Sequence, residues 1–394
     1  MIPVTVPEGM RPGITLTNVV LFRDIFDWIP GVIERISEVV FNIQSPITIC
    51  RGSMKKKLRV GVIGLGLGRH HLAGYVGNDE VNVVGIADVN GELLRTMAQE
   101  YHVPNTYTSY RDLLKSQPDL VSIALPNYLH APATIDALKA GVHVLCEKPM
   151  AMNAAEAQRM VNAAHGNKRV LMIALNNRFR TEAQVLKKLI EEDVLGEIYY
   201  AKTGLMRRSS RCGHGAGTWR TQKARSGGGP LFDQGVHMID LTRWLIGNPK
   251  PKSVLGATYA KFSDTEQGVI DVEDLAMAFI KLEGGISLIA ETSWASHVPS
   301  EGAYVKLIGT KGGAEIIGDK LTIYTEMHGQ QVDITPAYTP RAWADCIAAE
   351  IAHLVTCIRD KKTPMSTGEQ GMEMMKILEG IYKSADQGKT IKIG

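Results

Sequence analysis

Short apolar runs that alternate with helix-compatible stretches constrain the fold of this chain more than any other feature of its sequence. From about Lys55 onward, the runs that predict β-strands are residues 58–64, 81–88, 120–125, 142–146 and 170–175. The stretches that predict helices are residues 91–101, 131–140 and 153–165. Apolar strands that alternate with amphipathic helices pair in parallel and are covered on both faces. The pattern therefore predicts a doubly wound, parallel α/β sheet.

A glycine-rich turn, GLGLG, follows the first predicted strand. Glycines at this point allow a tight turn, and they let the bare backbone approach the pyrophosphate of a dinucleotide at a helix N-terminus. We therefore predict Gly64, Gly66, Leu67 and Gly68 as cofactor-binding residues. The third glycine of the G-x-G-x-x-G fingerprint falls on Arg69, so Gly68 takes that role if the loop is one residue shorter than usual.

An acidic residue, Asp88, ends the second predicted strand. A carboxylate at this position accepts hydrogen bonds from the adenosine ribose hydroxyls, and its charge repels a 2′-phosphate. No arginine follows it in the sequence DVN, so the pattern predicts NAD as the cofactor, with NADP as the alternative. The other interpretation of Asp88 is that it only caps the turn at residues 90–92.

Length and composition limit the class of protein. A chain of 394 residues exceeds one ordinary core, so we predict a dinucleotide-binding domain at 54–175 and a substrate-binding and oligomerisation domain at 176–394. The 44 basic and 41 acidic side chains nearly balance, so neither nucleic acid nor a membrane is predicted as a partner. Five scattered cysteines without a C-x-x-C pair favour a reducing compartment, and no apolar run reaches the roughly 20 residues of a membrane span. The predicted location is the cytoplasm.

The first 53 residues share no pattern with the rest of the chain. From Met54 the sequence MKKKLRVGVIG is typical of the start of a dinucleotide-binding domain. Arg51 and Gly52 can be encoded by a purine-rich run that resembles a bacterial ribosome-binding site. We therefore expect that Met54 is the true start of translation and that residues 1–53 are a leader. The alternative is an amphipathic N-terminal helix that docks on the protein or on a membrane surface.

The second half of the chain carries a different pattern. Alternating strand-like runs occur at residues 198–206, 252–260, 275–282, 286–293, 304–309 and 321–325, and helical stretches occur at 342–359 and 368–384. Most of the strand-like runs are joined by short loops such as EGG, as expected of an antiparallel meander. This half is therefore predicted to be an α+β domain with a large, mostly antiparallel sheet.

Two motifs carry a resemblance to a known family. The first is LPNYLH at 125–130, followed by AGVHVLCEKP at 140–149, and the second is SGGGPLFDQGVHMID at 226–240. Together they resemble the Gfo/Idh/MocA oxidoreductases, which include glucose–fructose oxidoreductase and inositol dehydrogenase, and the resemblance extends from about Lys55 to the C-terminus. It implies a Rossmann domain and an α+β domain whose open sheet forms a homodimer or homotetramer interface. It also implies NAD(P)-dependent oxidation of a secondary hydroxyl of a sugar, polyol or sugar acid.

The resemblance also implies which residues form the site. Lys148 is the catalytic candidate at the end of the fifth strand, where its ammonium can hold the substrate hydroxyl and share its proton, and Pro149 fixes the backbone that aims it. The residues implied near the cofactor, with Lys148, are Pro126, Asn127, His130 and Glu147. The alternative interpretation of His130 is that its role is structural.

A second pair of candidates lies on a predicted helix. Asp233 and His237 are four residues apart, so they share one helix face, where the carboxylate orients the imidazole or both grip substrate hydroxyls. The alternative is a surface contact between the two. Whether Lys148 or His237 is the main acid/base stays open at this point. Asn177 and Arg178 are further substrate-binding candidates, and no metal is predicted.

The segment between Glu197 and Asp233 contains no acidic residue. After Lys202 it contains six strongly basic residues, which are Arg207, Arg208, Arg211, Arg220, Lys223 and Arg225. Beside the site they would favour an anionic substrate, such as a uronate or sugar phosphate, or clamp the cofactor pyrophosphate. The alternative is a solvated or subunit-bridging loop. Cys212 and His214 in this segment lack a second ligand pair for a metal.

Three other functions compete with a dehydrogenase. An NAD-dependent glycosidase oxidises C3 only transiently and forms no net NADH, and a sugar-sensing regulator needs no turnover. The presence of Lys148 argues against the regulator. Reduction of an imine or a biliverdin-like substrate fits the set of Lys148, Asp233 and His237 less well than oxidation of a polyol.

Overall fold

Two β-sheets organise the part of the chain that the computed structural model describes, which comprises residues 56–209, 218–262 and 270–394. The first sheet is parallel throughout, with strand order β3-β2-β1-β4-β5-β6. Its strands are β1 (Leu58–Ile63), β2 (Val81–Ala87), β3 (Thr106–Tyr107), β4 (Leu120–Ile123), β5 (His143–Glu147) and β6 (Leu171–Ala174). This is the order of a doubly wound dinucleotide-binding sheet, and it confirms the predicted fold class for this half.

Several predictions fall outside the described residues. These are the leader at 1–53 with its expected start at Met54, and the loop residues Arg211, Cys212 and His214.

Helices cover both faces of the parallel sheet. They are α1 (Gly68–Val76), α2 (Gly91–Glu100), α3 (Tyr110–Lys115), α4 (His130–Lys139) and α5 (Ala154–Gly166). Asparagine side chains set two of the starts, because Asn90 and Asn153 accept hydrogen bonds from backbone N–H groups in the first turns of α2 and α5. The boundaries of α2, α4 and α5 lie within a few residues of those predicted from the apolar pattern, whereas α3 and the short strand β3 were not predicted.

The second sheet has nine strands, in the order β14-β13-β12-β11-β7-β10-β9-β8-β15. Its strands are β7 (Ile198–Arg208), β8 (Pro251–Tyr259), β9 (Leu275–Leu282), β10 (Ser287–Ser296), β11 (Gly302–Gly309), β12 (Gly312–Ile317), β13 (Lys320–Met327), β14 (Gln330–Ile334) and β15 (Ile391–Lys392). All neighbours are antiparallel except β7 and β10. The predicted antiparallel sheet is confirmed. Sequence reasoning missed β12, which begins with two glycines, the polar β14 and the two-residue β15.

The described residues of the second half of the chain contain four long helices: α6 (Thr181–Glu191), α7 (Val236–Leu245), α8 (Trp343–Asp360) and α9 (Gly368–Gln387). A π-helical turn, Leu231–Gly235, leads directly into α7. Helix α9 packs closely on β8, since a Cβ added at Gly256 would lie 2.8 Å from Ile381 Cγ2. One face of the sheet is thereby buried.

Helix α8 returns to the first sheet and packs against α1. A Cβ added at Gly74 of α1 would lie 2.7 Å from Ile351 Cδ1 of α8, so the two helices approach closely. The division of the chain near residue 175 stays a prediction, because elements from both sides of it share this contact. No helix within the described ranges is long and apolar enough to cross a membrane.

Candidate active site

The carboxyl ends of β1, β2, β4 and β5 open into a cleft of about 490 Å³. Ligands bind at this edge of doubly wound sheets. Of the predicted cofactor-binding residues, those that line the cleft are Gly64, Gly66, Leu67, Asp88, Pro126, Asn127, His130, Glu147 and Lys148. Asp233 closes it from the second half of the chain. Folding therefore brings motifs from both halves to one cavity.

The glycine turn is shaped to receive a ligand. Gly64 has φ +82°, and a Cβ there would lie 2.5 Å from the carbonyl oxygen of Ala124, so only glycine fits. The Cβ position of Gly66 has no atom within 4 Å, so its backbone faces open space. Gly68 is buried outside the cleft lining, where a Cβ would lie 3.1 Å from Val62 Cγ1. Gly68 therefore serves close helix–strand packing, which is the role of the third fingerprint glycine, rather than ligand contact.

Asp88 fixes the turn and faces the cleft. Its Oδ2 accepts the Leu65 N–H at 2.7 Å, and its Oδ1 accepts the Asn90 N–H at 2.8 Å. Each carboxylate oxygen has further lone pairs, so both hydroxyls of a ribose can still donate to it. The open backbone at Gly66 and this carboxylate together fit a dinucleotide.

An ion pair between the two halves of the chain forms the reactive end of the cleft. Lys148 Nζ donates to the carbonyl oxygen of Asp233 at 2.7 Å and to its Oδ1 at 3.1 Å. Trp294 Nε1 donates to Oδ2 at 3.1 Å. Although burial opposes ionisation, the Lys148 charge and the hydrogen bonds from Lys148 and Trp294 lower the pKa of Asp233 to about 2. Asp233 is therefore an anion at neutral pH.

His237 is neutral under the same conditions. Burial and the positive charge of Lys148 lower the pKa of His237 to about 3. Its Nδ1 is enclosed without a hydrogen-bond partner in the described part of the chain, and its side chain is not among those lining the cleft. The carboxylate of Asp233 is bonded to Lys148 and Trp294 rather than to the imidazole, so the predicted orientation of His237 by Asp233 is not what the structure shows.

A buried polar network lies behind Lys148. Glu147 Oε1 pairs with His71 Nε2 at 3.0 Å, and His71 Nδ1 lies 3.1 Å from Ser122 Oγ, which Tyr75 also contacts at 2.9 Å. Burial opposes ionisation of Glu147, but the hydrogen bond and charge of His71 hold its pKa below the usual value. Glu147 Oε2 accepts the backbone N–H of Lys148 at 3.1 Å. The network therefore fixes the backbone from which Lys148 projects.

The glycine run before Asp233 determines its position. Glu273 accepts the N–H groups of Gly229 at 2.9 Å and Leu231 at 3.1 Å, at the start of the π-helical turn. A Cβ at Gly229 would lie 2.1 Å from the carbonyl oxygen of Glu273, so no larger residue fits. π-Helical turns are frequent at functional sites, and here the turn sets Asp233 opposite Lys148.

One predicted substrate-binding residue is wrong. Arg178 is fully buried, and its guanidinium bonds both carboxylate oxygens of Asp240, at 2.6 and 2.8 Å. Its Nη1 donates to Met365 O and Gln370 Oε1, so its donors are used inside the protein. Arg178 is therefore part of the framework, and its neighbour Asn177 is also outside the cleft lining.

Two predicted cofactor residues tie loops together. His130 contacts the carbonyl oxygens of Pro149 at 2.7 Å and Leu125 at 2.6 Å, which joins the segments after β4 and β5. Asn127 donates from Nδ2 to the carbonyl oxygen of Ser226 at 2.7 Å, which joins the two halves of the chain. Both line the cleft, but their polar groups serve these internal contacts.

Sequence reasoning missed the aromatic residues of the cleft. They are Tyr128, Trp219, Phe232 and Trp294. Trp294 has no motif around it, and it reaches Asp233 only because β10 runs beside the π-helical turn. A tryptophan that ends a strand-like run is the only signal the sequence offers.

Two family models cover most of the chain. Residues 58–175 match the model of an oxidoreductase family with an NAD-binding Rossmann fold. Residues 187–393 match the C-terminal α/β domain of the same family. The chain belongs to the Gfo/Idh/MocA oxidoreductase family. The predicted family and the predicted NAD-binding function are confirmed.

Several named relatives of this family member are dehydrogenases. It is similar to the D-glucoside 3-dehydrogenase of Escherichia coli K12, with 29 % identity over 355 residues that cover 85 % of this chain and 97 % of that one. It is 29 % identical over 285 residues to the levoglucosan dehydrogenase of Pseudarthrobacter phenanthrenivorans, covering 65 % of this chain and 73 % of that one. A solved levoglucosan dehydrogenase with NADH superposes with a TM-score of 0.80 at 24 % identity, over 86 % of this chain and all of that one. These relatives favour a dehydrogenase over the glycosidase and the regulator.

Proposed function

We propose that this chain oxidises a secondary hydroxyl of a sugar or polyol and that Lys148 handles the hydroxyl proton. The observation that carries the proposal is the Lys148–Asp233 ion pair, which shares one cleft with the glycine turn and Asp88. NAD, when bound, accepts the hydride from the carbinol carbon. Gly64, Gly66 and Asp88 would hold its adenosine and pyrophosphate parts, and Lys148 would lie at its reactive end.

Lys148 has one hydrogen-bonding position left for substrate. An ammonium has three N–H groups, and Asp233 receives two of them through its carbonyl oxygen and Oδ1. The third can donate to the substrate oxygen. In the direction of oxidation, Nζ in its neutral form takes the hydroxyl proton, and the anionic Asp233 stabilises the ammonium that results. In reduction the same ammonium returns the proton.

His237 serves as a neutral partner in this scheme. Because burial and the Lys148 charge keep its pKa near 3, the pair of Lys148 and His237 carries one positive charge rather than two. We therefore assign the principal acid/base role to Lys148.

The substrate class follows from the named relatives and the cleft. The relatives act on a glucoside and on levoglucosan, and aromatic side chains in the cleft of this chain suit the apolar face of a pyranose or cyclitol ring. The test is NADH formation at 340 nm with a panel of inositols, aldoses, glucosides, uronates and sugar phosphates. Turnover of at least one class supports the proposal, and absence of hydride transfer with all of them contradicts it.

We further propose a preference for NAD over NADP. Asp88 presents a carboxylate where a 2′-phosphate would lie, and the neighbouring Val89 and Asn90 offer no cation. The comparison of kcat/KM for the two cofactors tests this, with Asp88→Ser as the variant expected to narrow the ratio. A wild-type enzyme that prefers NADP would refute the role of Asp88.

We propose that the chain forms a homodimer or homotetramer through the outer face of the nine-stranded sheet. Large apolar side chains on this face are exposed, among them Leu255, Met277, Phe279, Ile308 and Tyr324. Exposed apolar surface of this kind marks protein–protein interfaces. Light scattering coupled to gel filtration should show an oligomer that Phe279→Glu dissociates, and a monomeric wild type would contradict it.

The proposed location is the cytoplasm, and the proposed pathway is carbohydrate metabolism. Three cysteines of the described ranges, Cys146, Cys346 and Cys357, are buried free thiols, which suits a reducing compartment. Fractionation of the native host with an antibody against the chain tests the location.

A further inference from the structure

The basic residues between Glu197 and Asp233 separate into two groups in the structure. Arg220 and Arg225 line the cleft. Arg208 donates to the carbonyl oxygen of Pro299, Arg207 lies within hydrogen-bonding distance of Gln234, and the Lys223 ammonium lies 5.4 Å from the centre of the Tyr382 ring. Lys202 forms an ion pair with Glu291. Of these six basic residues within the described ranges, only Arg220 and Arg225 therefore face the space that a ligand would occupy.

Both cleft arginines make cation–π contacts with aromatic rings. The Arg225 guanidinium lies 5.1 Å from the centre of the Tyr128 ring, and its Nη2 donates to the Tyr128 hydroxyl at 3.1 Å. The Arg220 guanidinium lies 4.8 Å from the centre of the Trp219 ring. A cation–π contact holds a guanidinium beside the ring and leaves N–H groups that can bind a carboxylate or phosphate in a forked geometry.

Neither arginine forms an ion pair with a carboxylate of the described ranges, and the acids of the cleft have other partners. Glu147 pairs with His71, Asp233 pairs with Lys148, and Asp88 holds two backbone N–H groups at the glycine turn. The side of the cleft formed by Arg220 and Arg225 therefore carries two positive charges that no acidic residue of the described ranges neutralises by an ion pair. Such a concentration of charge in a cleft attracts anions.

We propose that the substrate carries an anionic group, a carboxylate or a phosphate, which Arg220 and Arg225 bind while Lys148 contacts the hydroxyl that is oxidised. This inference rests on the proposed dehydrogenase function, and it narrows the substrate class to sugar acids and sugar phosphates. The cofactor pyrophosphate is the other anion that could lie in the cleft. The open backbone at Gly66, at the start of α1, already provides its site, and both arginines belong to the segment that carries Asp233 instead.

The experiment compares matched neutral and anionic ligands on the full chain. The pairs are glucose with glucuronate, glucose with glucose 6-phosphate, and myo-inositol with inositol 1-phosphate. Initial rates of NADH formation are measured at saturating NAD, and binding is measured by titrating the fluorescence of the enzyme–NADH complex. We expect at least one anionic member to exceed its neutral counterpart by 10-fold or more in kcat/KM and in affinity. Added salt should reduce this advantage, because exposed charges are screened.

Charge-removing variants assign the effect to the two arginines. The double variant Arg220→Gln/Arg225→Gln should lose at least 10-fold in kcat/KM for the anionic ligand and less than 3-fold for the neutral one, with KM for NAD unchanged. Arg208→Gln removes one positive charge outside the cleft lining and should leave all values unchanged. The double variant Arg220→Lys/Arg225→Lys keeps both charges but loses the forked guanidinium geometry. Its kcat/KM for the anionic ligand should lie between the values of the wild type and of the glutamine double variant.

The outcomes separate this inference from the proposed function. If no anionic ligand binds or reacts better than its neutral counterpart, the inference is overturned even if neutral sugars are oxidised. If the double variant raises KM for NAD and affects both ligand classes equally, the arginines bind the cofactor and the inference is again overturned. If anionic ligands bind preferentially but no ligand reduces NAD, the charge preference stands and the dehydrogenase proposal fails.

Discussion

Two ion pairs in this molecule use similar groups for opposite purposes. Lys148 and Asp233 form one in the cleft, where their side chains are 14 % and 36 % exposed. Arg178 and Asp240 form the other in the interior, where the exposed fractions are 0 % and 3 %. Sequence reasoning assigned both basic residues to the substrate site. Folding places one where a ligand can reach it and encloses the other completely.

The difference lies in hydrogen-bonding capacity that remains unused. Nε, Nη1 and Nη2 of Arg178 all have acceptors inside the protein, so this pair links α7 to the segment before α9. Lys148 keeps one N–H without an acceptor among the described residues, and it lies in the cleft where a ligand can reach it. A saturated buried pair holds the structure together, whereas an unsaturated pair at a cleft is available for chemistry. The comparison predicts that variants of the two pairs will separate activity from stability.

The largest effect is expected from Lys148→Ala. Removing the group that exchanges the hydroxyl proton should lower kcat/KM by roughly 10³-fold, equivalent to about 4 kcal/mol. The thermal unfolding midpoint should change by no more than about 2 °C, since Asp233 keeps its hydrogen bond from Trp294. Steady-state kinetics and calorimetry on the same preparation measure both.

Lys148→Arg is the matched control for that variant. Arginine keeps the positive charge, but it does not give up its proton in the working pH range. We therefore expect ligand binding to persist and kcat to stay low. Recovery of kcat in Lys148→Arg would show that the charge alone suffices and that the proton-transfer role is wrong.

Asp240→Asn should have the opposite signature. The substitution leaves the enclosed Arg178 with an uncompensated charge. Breaking a buried ion pair in this way lowers the free energy of unfolding by about 3 to 4 kcal/mol. Urea unfolding followed by tryptophan fluorescence measures the loss. The folded fraction should retain the wild-type KM for substrate, and a large rise in KM would restore Arg178 as a ligand-binding residue.

Asp233→Asn is the same chemical change made in the cleft pair. It removes the anion that stabilises the Lys148 ammonium, so we expect a fall in kcat/KM of about 10², close to 2.7 kcal/mol. The stability change should stay below about 1 kcal/mol, because this pair is partly exposed. Asp233 is also expected to stay ionised across the working pH range, since its pKa is about 2, so its protonation should not appear in the pH–rate profile. An inflection of that profile that Asp233→Asn abolishes would contradict this.

The contrast between the pairs also shows what the sequence could and could not predict. Apolar alternation located the strands of the parallel sheet, and motifs named Lys148 and Asp233, although only the fold brings these two into contact. The same reasoning misplaced Arg178. The sequence around a polar residue that follows a strand does not show whether its side chain faces a cleft or forms a buried ion pair, as Arg178 does with Asp240. Trp294 was missed since its partner lies in a distant segment and no local spacing encodes the contact.

Glu350 on α8 is a buried acid of a different kind from Asp233 and Asp240. No cationic side chain of the described ranges forms an ion pair with it. It is fully enclosed, and burial, with the nearby charge of Glu147, raises its pKa well above the usual value. The folded state therefore binds a proton more tightly than the unfolded state. This contribution to stability is present below the unfolded pKa of about 4.3 and is lost progressively as the pH rises above it.

Glu350→Gln should therefore raise stability in a pH-dependent way. The amide has nearly the same shape as the protonated carboxyl and does not ionise, so we expect the free energy of unfolding to gain more from this substitution at pH 9 than at pH 5. Glu273→Gln is the matched control, because Glu273 is also buried but accepts from Gly229, Leu231 and Tyr382. Because Glu273→Gln weakens these hydrogen bonds, it should lower the free energy of unfolding by about 1 to 3 kcal/mol. Urea unfolding at both pH values measures the difference. If Glu350→Gln is destabilising at pH 9, the ionised carboxylate of Glu350 has a partner that stabilises it. The distinction between buried acids with and without hydrogen-bond partners would then not hold for Glu350.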